Sequence, residues 1–250
     1  MELVQNYISG EYVAPRSTSR LDLYDPAVGE VYAQLVDSNS EDVQDAVRSA
    51  KDAFPTWSGL SSNERANYLL AIAEEIDSQS DNFSEFESRD TGKPITLARS
   101  LDIPRSISNL KFFAEHVQDF KFKWELKNDT SINYVTRLPL GVVCCISPWN
   151  LPLYLFTWKI APALVSGNTV VAKPSEVTPY TAHLLGDICS RVGLPPGVLN
   201  IIHGKGSTAG EILVKNTDIK AISFTGGTST GKQIFKSASD SFKKLSLEMG

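Results

Sequence analysis

Cysteine is scarce in this chain, and its scarcity argues against two kinds of architecture. The sequence has only three cysteines, Cys144, Cys145 and Cys189. The first two are adjacent and all three lie in apolar surroundings, so neither a disulfide framework nor a metal cluster is indicated. So few thiols are typical of a reducing compartment, and we expect the protein in the cytosol.

A basic stripe and an N-terminal leader are also missing. The formal net charge is -5, and the lysines and arginines are scattered along the sequence. This distribution argues against a nucleic-acid partner. The first residues contain no basic region followed by an apolar run, so no secretory signal is predicted.

One uncharged run bears on whether the chain enters a membrane. No charged residue occurs between Leu138 and Trp158, and a run of that length can cross a bilayer. Pro148, Asn150 and Pro152 interrupt it, however. We therefore predict a buried strand, a loop and the start of a helix, and no membrane span.

Apolar residues are plentiful, and their spacing predicts helices in the first half of the chain. The sequence is 42% hydrophobic and 21% charged, which is ample for a buried core. Ser40 is predicted to cap a helix that ends at Pro55, and Ser61 and Glu64 form a capping box for the next one. A longer helical pattern extends over about 97–120.

The pattern then changes twice, which divides the chain into three parts. Residues 1–120 form a helical N-terminal part, and residues 121–137 alternate in the manner of a β-hairpin. In residues 138–250 five strands alternate with four helical crossovers. This order predicts an α/β fold with a doubly wound, five-stranded parallel sheet of Rossmann-like type. Ligands of such sheets bind beyond the carboxyl ends of the strands.

A glycine-rich turn follows the fourth of these strands. Gly226, Gly227, Thr228 and Gly231 lie between the strand and a helix. Backbone N–H groups and a helix N-terminus at such a turn can hold a pyrophosphate. The spacing is not GxGxxG, and a tight turn without a ligand is the alternative.

Lys173 and Glu176 lie at the end of the second strand. An acidic residue there can accept hydrogen bonds from a ribose hydroxyl, and a lysine can donate one. Glu176 would repel a 2′-phosphate, which favours NAD over NADP. The alternative is an ordinary solvated pair in a loop.

Two further polar residues occupy apolar strand ends. Asn150 has an amide suited to donating to an oxyanion, and a helix cap is its alternative role. Glu248 ends the last strand, where partial desolvation would raise its pKa and suit it to work as a base. A surface glutamate is the alternative.

Taken together, these segments resemble the aldehyde dehydrogenase family. The resemblance covers essentially the whole chain and is carried by residues 147–150 (SPWN), 173–176 (KPSE), 193–198 (GLPPGV), 224–226 (FTG) with Gly231, and 247–250 (LEMG). It implies NAD as the cofactor and a small-molecule aldehyde as the substrate. It also implies a homo-oligomer when the protein is complete, with the hairpin of residues 121–137 as an oligomerisation element.

The resemblance also assigns roles. Asn150 becomes the oxyanion donor, Glu248 the base that activates the hydrolytic water, and Lys173 with Glu176 the ribose clamp. The remaining cofactor-binding residues are Ser147, Trp149 on the nicotinamide side, Gly206 by the adenine, and Gly226, Gly227, Thr228 and Gly231 around the pyrophosphate. Gly227 departs from the pattern, since many members have serine there.

A closer resemblance is to the 2-aminomuconic semialdehyde dehydrogenase branch of the family. It rests on residues 102–106 (DIPRS), 150–155 (NLPLYL) leading into 157–159 (TWK), and 243–248 (KKLSLE). The substrate of that branch carries a carboxylate, for which Arg105 would be a partner. A solvated helix arginine is the alternative.

The pattern lacks one component. Family members continue into a catalytic domain that presents a cysteine nucleophile, and no cysteine follows Glu248 in this sequence. We therefore expect a fragment, without the catalytic domain, that binds NAD without turnover. The alternative is a non-catalytic module that binds a dinucleotide or forms hetero-oligomers.

Overall fold

The structure, a computed structural model, describes residues 2–250. Five short strands come first: β1 (Glu2–Val4), β2 (Tyr7–Ile8), β3 (Glu11–Tyr12), β4 (Arg20–Asp25) and β5 (Glu30–Val36). The strands β1, β5 and β4 form a small sheet in that order, with β1 parallel and β4 antiparallel to β5. The strands β2 and β3 pair antiparallel and belong to a second, larger sheet.

A helical region follows. It consists of α1 (Ser40–Gly59), α2 (Ser62–Ser78), α3 (Ser80–Thr91), α4 (Ile95–Leu97), a π-helical segment (Ala98–Asp102) and α5 (Ile103–Asp119). The predicted capping box of α2 is confirmed, because the Ser61 hydroxyl accepts from the Glu64 N–H and the Glu64 carboxylate accepts from the Ser61 N–H. The helix α2 packs its apolar face mainly against α5.

The predicted cap of α1 is wrong by one residue. The Asn39 side chain, not that of Ser40, accepts hydrogen bonds at the helix start. The Asp42 carboxylate in turn accepts from the Asn39 N–H at 3.0 Å. This reciprocal pair satisfies the first N–H groups one residue earlier than predicted, so Ser40 is already helical.

The predicted end of α1 at Pro55 is also wrong, since the helix continues to Gly59 with Pro55 inside it. Trp57 explains the extra turn. Its side chain is 1% exposed, and its indole N–H donates to the Leu164 carbonyl at 3.0 Å. Burial of one tryptophan stabilises this last turn enough to offset the N–H that proline lacks.

A hairpin connects the helical region to the rest. It consists of β6 (Lys123–Lys127) and β7 (Ile132–Thr136), which pair antiparallel from Lys123 opposite Thr136 to Lys127 opposite Ile132. Every residue of both strands is exposed. The hairpin therefore presents apolar side chains such as Trp124 and Tyr134 to solvent.

The remaining elements alternate between strand and helix. They are β8 (Val142–Ile146), α6 (Pro152–Val165), β9 (Thr169–Lys173), α7 (Tyr180–Arg191), β10 (Leu199–Ile201), a π-helical segment (Gly206–Gly210), α8 (Glu211–Lys215), β11 (Ile219–Gly226), α9 (Thr228–Ser239) and β12 (Lys244–Met249). The five strands are parallel and lie in the order β12-β11-β8-β9-β10. The predicted doubly wound parallel sheet is confirmed.

The sheet is larger than predicted at one edge. The short strands β2 and β3 add to β10 and give seven strands in all, with Tyr7 antiparallel to Ile201. The first residues of the chain thus cover an edge that would otherwise offer unpaired N–H and C=O groups. Sequence periodicity did not indicate this, because β2 has only two residues.

Helices cover both faces of the sheet, and the two adjacent cysteines show how the faces are divided. Cys144 packs with residues of α1, α8 and α9, whereas Cys145 packs with residues of α2, α5 and α6. Successive side chains of a strand point to opposite faces. Cys144 and Cys145 therefore belong to two separate cores.

Candidate functional site

The candidate site lies where the sheet order reverses, between β8 and β11. The strand order runs outward from this pair in both directions, so the loops that follow the two strands diverge and leave a crevice. The register brings Ile146 beside both Lys173 and Phe224. The predicted residues that follow these strands therefore meet at one edge.

Lys173 is buried at this edge, and Glu176 beside it is partly exposed. The Lys173 ammonium donates to Glu176 Oε2 at 3.1 Å and to the Pro174 carbonyl at 3.0 Å, and its side chain is 2% exposed. The other oxygen of Glu176 accepts from the Gly206 N–H at 3.1 Å. The two predicted clamp residues and Gly206 are thus joined into one hydrogen-bonded unit.

The charges of this pair depend on each other. Burial lowers the pKa of Lys173, and the Glu176 carboxylate opposes that shift. Burial alone would raise the pKa of Glu176, but the Lys173 ammonium and the Gly206 N–H outweigh it and lower the pKa. Glu176 is therefore ionised at neutral pH. Because a carboxylate has about four acceptor positions, it can still accept from a ligand hydroxyl.

The glycine-rich turn opens α9 at the same edge. No side chain caps this helix, so N–H groups of its first turn remain available to an anion. A Cβ at Gly227 would meet no atom within 4 Å, whereas a Cβ at Gly231 would lie 2.1 Å from Met249 Sδ. A larger residue at Gly231 would therefore displace the flexible Met249 side chain of β12, whereas Gly227 leaves open space in front of the helix.

A groove of about 560 Å³ extends from this turn between α8 and α9. Its lining includes Ile146 and Phe224 from the sheet, Gly206 from the loop, Val214 from α8 and Ile234 from α9. The lining also includes polar side chains such as Gln233 and Lys236. A groove of this size, with apolar residues at its base and polar residues around them, suits a flat ring that carries polar groups. A second cavity of about 580 Å³ begins at the neighbouring Ser207.

The loop after β8 carries Ser147, Trp149 and Asn150. Ser147 is buried, and its hydroxyl has no hydrogen-bond partner within residues 2–250. Trp149 is 62% exposed and lines the second cavity together with Glu176. Asn150 is exposed, and α6 has no side-chain cap, so a helix cap is not the role of this amide.

Glu248 lies at the far side of the crevice, and the expectation of a raised pKa is wrong. Its carboxylate accepts from the Thr225 hydroxyl at 2.6 Å and lies 3.6 Å from Lys159 Nζ. The Thr225 hydroxyl, more than the Lys159 ammonium, lowers the pKa of this half-exposed group. The sequence could not show that Thr225 stands opposite Glu248 in the adjacent strand.

Lys159 is a residue that sequence reasoning missed. It belongs to α6, and its side chain is 2% exposed. Its ammonium donates to the Ser223 hydroxyl at 3.4 Å and also faces the Glu248 carboxylate. Burial lowers its pKa, and the Glu248 carboxylate opposes that shift. The signal was present, because Lys159 is the single charged residue of an otherwise uncharged helix.

Arg105 lies apart from these residues, at the start of α5. Its Nη2 donates to the Tyr154 hydroxyl at 3.0 Å, and its guanidinium lies 5.2 Å from the centre of the Tyr154 ring. Tyr154 in turn belongs to the first turn of α6, which follows Asn150 in sequence. The structure thus connects Arg105 to the site only through Tyr154, a second residue not predicted from sequence.

The three thiols lie away from this surface. Cys144, Cys145 and Cys189 are free and at most 1% exposed. Burial raises the pKa of Cys145 and of Cys189 to about 12, and that of Cys144 further still. All three are protonated core thiols at neutral pH.

Residues 2–250 show neither a membrane-spanning helix nor a metal cluster. None of their helices is both long enough and apolar enough to span a bilayer. In the same range no three His, Cys, Asp or Glu side chains are grouped to hold a metal ion.

Comparison with known proteins identifies the family. The profile of the aldehyde dehydrogenase family matches residues 12–250. This chain belongs to that family. Among curated aldehyde dehydrogenases, the 2-aminomuconic semialdehyde dehydrogenase of Danio rerio is 46% identical over 252 residues, which cover 99% of this chain and 51% of that protein. The chain thus spans about half the length of the curated relatives it matches.

Solved aldehyde dehydrogenase structures agree with the fold. The enzyme from Bartonella henselae superposes with a TM-score of 0.96 at 34% identity, covering all of this chain and 53% of that one. Aldehyde dehydrogenase C from Pseudomonas syringae, solved as a mutant with NAD+ and octanal, gives 0.94 at 34% identity, covering 98% and 50%. Both likenesses extend over the whole α/β architecture described above.

Proposed function

We propose that this chain forms the NAD-binding part of an enzyme that oxidises an aldehyde to a carboxylic acid. The main supporting observation is the hydrogen-bonded unit of the buried Lys173, the partly exposed Glu176 and the exposed Gly206 N–H, beside the start of α9, which has no side-chain cap within residues 2–250. Family membership and the NAD+ in the Pseudomonas syringae relative support it. Bound NAD would supply the acceptor for the hydride that leaves the substrate.

The dimensions of the site fit this cofactor. The groove between α8 and α9 would take the adenine, with Gly206 at its edge. Glu176 would accept from the adenosine ribose while Lys173 holds the carboxylate in place. The N–H groups around Gly227 and Thr228 would face the pyrophosphate, with Gly226 and Gly231 fixing the turn.

Two residues would act on the substrate. The Asn150 amide would donate to the substrate oxygen as negative charge develops there, and Trp149 would border the nicotinamide. Glu248 would accept a proton from water, because its lowered pKa keeps it ionised at neutral pH. Lys159 would hold that carboxylate in the crevice.

The nucleophile would have to come from outside these residues. None of the three protonated core thiols reaches the crevice, so we propose that these 250 residues bind NAD without turnover. The three cysteines form no disulfide, which is compatible with a location in the cytosol. The buried thiols also favour a second candidate, a non-catalytic module that binds a dinucleotide.

The substrate would be a semialdehyde that carries a carboxylate. The name of the Danio rerio relative supports this class, and Arg105 would pair with the carboxylate in bidentate fashion. Tyr154 keeps the guanidinium oriented in the absence of substrate. The exposed hairpin of β6 and β7 would bind a second subunit in a homo-oligomer.

Titration calorimetry with NAD and NADP tests the cofactor proposal. We expect NAD to bind more tightly, because Glu176 faces the 2′ position of NADP with like charge. In the matched variant Glu176→Gln the preference should shrink, since the amide keeps the shape without the charge. Equal affinities for both cofactors in the native chain would refute the assignment of Glu176.

A further inference from the structure

The loop that presents Asn150 is fastened by side chains from distant parts of the chain. We call residues 147–151 the Asn150 loop. The Thr178 hydroxyl donates to the Trp149 carbonyl at 3.3 Å, and the Lys93 ammonium donates to the Asn150 carbonyl at 3.3 Å. The Asn150 amide itself makes no hydrogen bond within residues 2–250. The backbone is held while the functional group stays free.

Lys93 is itself held in place. Its ammonium donates to Asp102 Oδ2 at 2.6 Å, and the two side chains are 12% and 0% exposed. The Ser88 hydroxyl donates to the Lys93 carbonyl at 2.6 Å and so fixes its backbone. A lysine on the surface would sample many rotamers, but this one is confined to a direction that includes the Asn150 carbonyl.

The ion pair is poorly explained as a stabilising contact alone. Asp102 Oδ1 is buried without a hydrogen-bond partner, and burying two charges is costly unless all their groups are satisfied. Asp102 also ends the π-helical segment that precedes α5. Such segments occur frequently at functional sites. Stability alone does not explain this buried ion pair, whereas the hydrogen bond from Lys93 to the Asn150 carbonyl does.

We propose that Lys93, held by Asp102, is a positioning residue that fixes the Asn150 loop and thereby aims Trp149 and the Asn150 amide at the nicotinamide end of the site. The proposal rests on the proposed function, since it assumes that NAD binds in this crevice. Lys93 would touch neither cofactor nor substrate. Its effect would pass through one backbone carbonyl.

The test compares two ligands of the 250-residue chain by calorimetry. ADP-ribose lacks the nicotinamide, so a loop that acts only at that end should affect NAD alone. The double variant K93M/D102N removes both charges without leaving one buried. We expect it to weaken NAD about five- to tenfold and to change ADP-ribose less than about twofold. The single variant K93R keeps the positive charge and should retain the NAD affinity of the native chain. K121M, a control at an exposed lysine, should also bind NAD as the native chain does.

Hydrogen exchange of peptides that cover residues 147–153 gives an independent measurement. The double variant should exchange faster there than the native chain, and K93R should not. If the double variant does not fold, D102N alone should weaken NAD binding about two- to threefold and leave ADP-ribose binding nearly unchanged. Equal weakening of NAD and ADP-ribose, or unchanged NAD affinity and exchange, would overturn the role of Lys93. A native chain that binds neither ligand would refute the proposed function, while exchange would still decide whether Lys93 fixes the loop.

Discussion

The proposed cofactor end of the candidate site, around Lys173 and Glu176, and its proposed reaction end, around Trp149 and Glu248, place their residues in different surroundings. At the cofactor end, Lys173 is 2% exposed and both Glu176 oxygens are bonded within the chain. At the reaction end, Trp149 is 62% exposed and the Glu248 side chain 48%. A preformed cofactor end can bind ligand by itself, whereas an open reaction end needs further structure to exclude water.

The largest expected effect of the difference between the two ends concerns catalysis. Purified chain should bind NAD yet form no NADH with a panel of aldehydes, because in the proposed roles Asn150 and Glu248 would act only on an adduct that a thiolate has formed. Absorbance of NADH measures this. Turnover that is abolished by changing Cys144, Cys145 or Cys189 to alanine would show that one of these thiols reaches the site. Turnover that survives all three changes would contradict covalent catalysis.

Stability should differ between the two ends. Lys173→Met removes the buried partner of an ion pair whose Glu176 side chain is 33% exposed, and should lower the free energy of unfolding by about 2 kcal/mol. The matched change Glu248→Gln, at a half-exposed carboxylate, should alter it by less than about 0.5 kcal/mol. Urea denaturation followed by circular dichroism compares them. Similar losses for both variants would mean that the two ends are equally integrated into the fold.

The effect of Arg105 is expected to depend on the substrate. In an active enzyme that contains this chain, Arg105→Ala should raise KM for a carboxylate-bearing semialdehyde about ten- to a hundredfold, or roughly 1.5–3 kcal/mol. A neutral aldehyde of similar size should change little. Steady-state kinetics with both substrates decides, and equal effects on the two would remove Arg105 from the site.

The smallest expected effect concerns an acid beneath the reaction end. Glu87 is fully buried and accepts from the Leu153 N–H at 3.4 Å and from the Thr181 hydroxyl at 2.8 Å. Burial raises its pKa to about 8. The folded chain therefore keeps a proton that the unfolded chain releases, and stability should fall as pH rises toward 8.

Between pH 6.5 and 8.5 the loss attributable to Glu87 should be about 1–2 kcal/mol. Burial lowers the pKa values of the half-buried His183 and the buried His203, and these two residues oppose the trend only below about pH 6.5. Denaturation at both pH values measures the slope. Glu87→Gln can accept from the Leu153 N–H through its amide oxygen and donate to the Thr181 hydroxyl through its amide N–H, as the protonated acid does. It should reduce the slope, whereas an unchanged slope would mean that Glu87 is ionised in the fold.

The regular part of this fold was predictable because its signals are local. Strands such as Val142–Ile146 are continuous apolar runs, and the Ser61–Glu64 box depends on a spacing of three residues. Two short strands about a glycine turn were expected over residues 6–13 and are confirmed as β2 and β3. The pairing of β2 with β10 was not predictable, because its partner Ile201 lies far along the chain. Local sequence likewise could not choose between Asn39 and Ser40 as a cap.

The same distinction applies to the candidate site. Lys173 and Glu176 were proposed from the sequence because they lie at the end of one strand, three residues apart, and the structure joins them by a hydrogen bond. Lys93 and Asp102 were not, since their relation to Asn150 exists only after three separate segments fold together. The pKa direction of Glu248 was missed for the same reason, because its cause, Thr225, belongs to the neighbouring strand.

The pairing of Tyr7 with Ile201 also bears on how the chain folds as it is made. At about 5–20 residues per second, a ribosome needs roughly ten to forty seconds to add the residues between these partners. During that interval the N-terminal hairpin of β2 and β3 has no edge to join, and two such short strands are not stable alone. The strands β2 and β3, which cover the sheet edge, are thus synthesised well before the strand β10 that they cover. Truncation of the first residues should accordingly leave β10 as an open edge for association between chains.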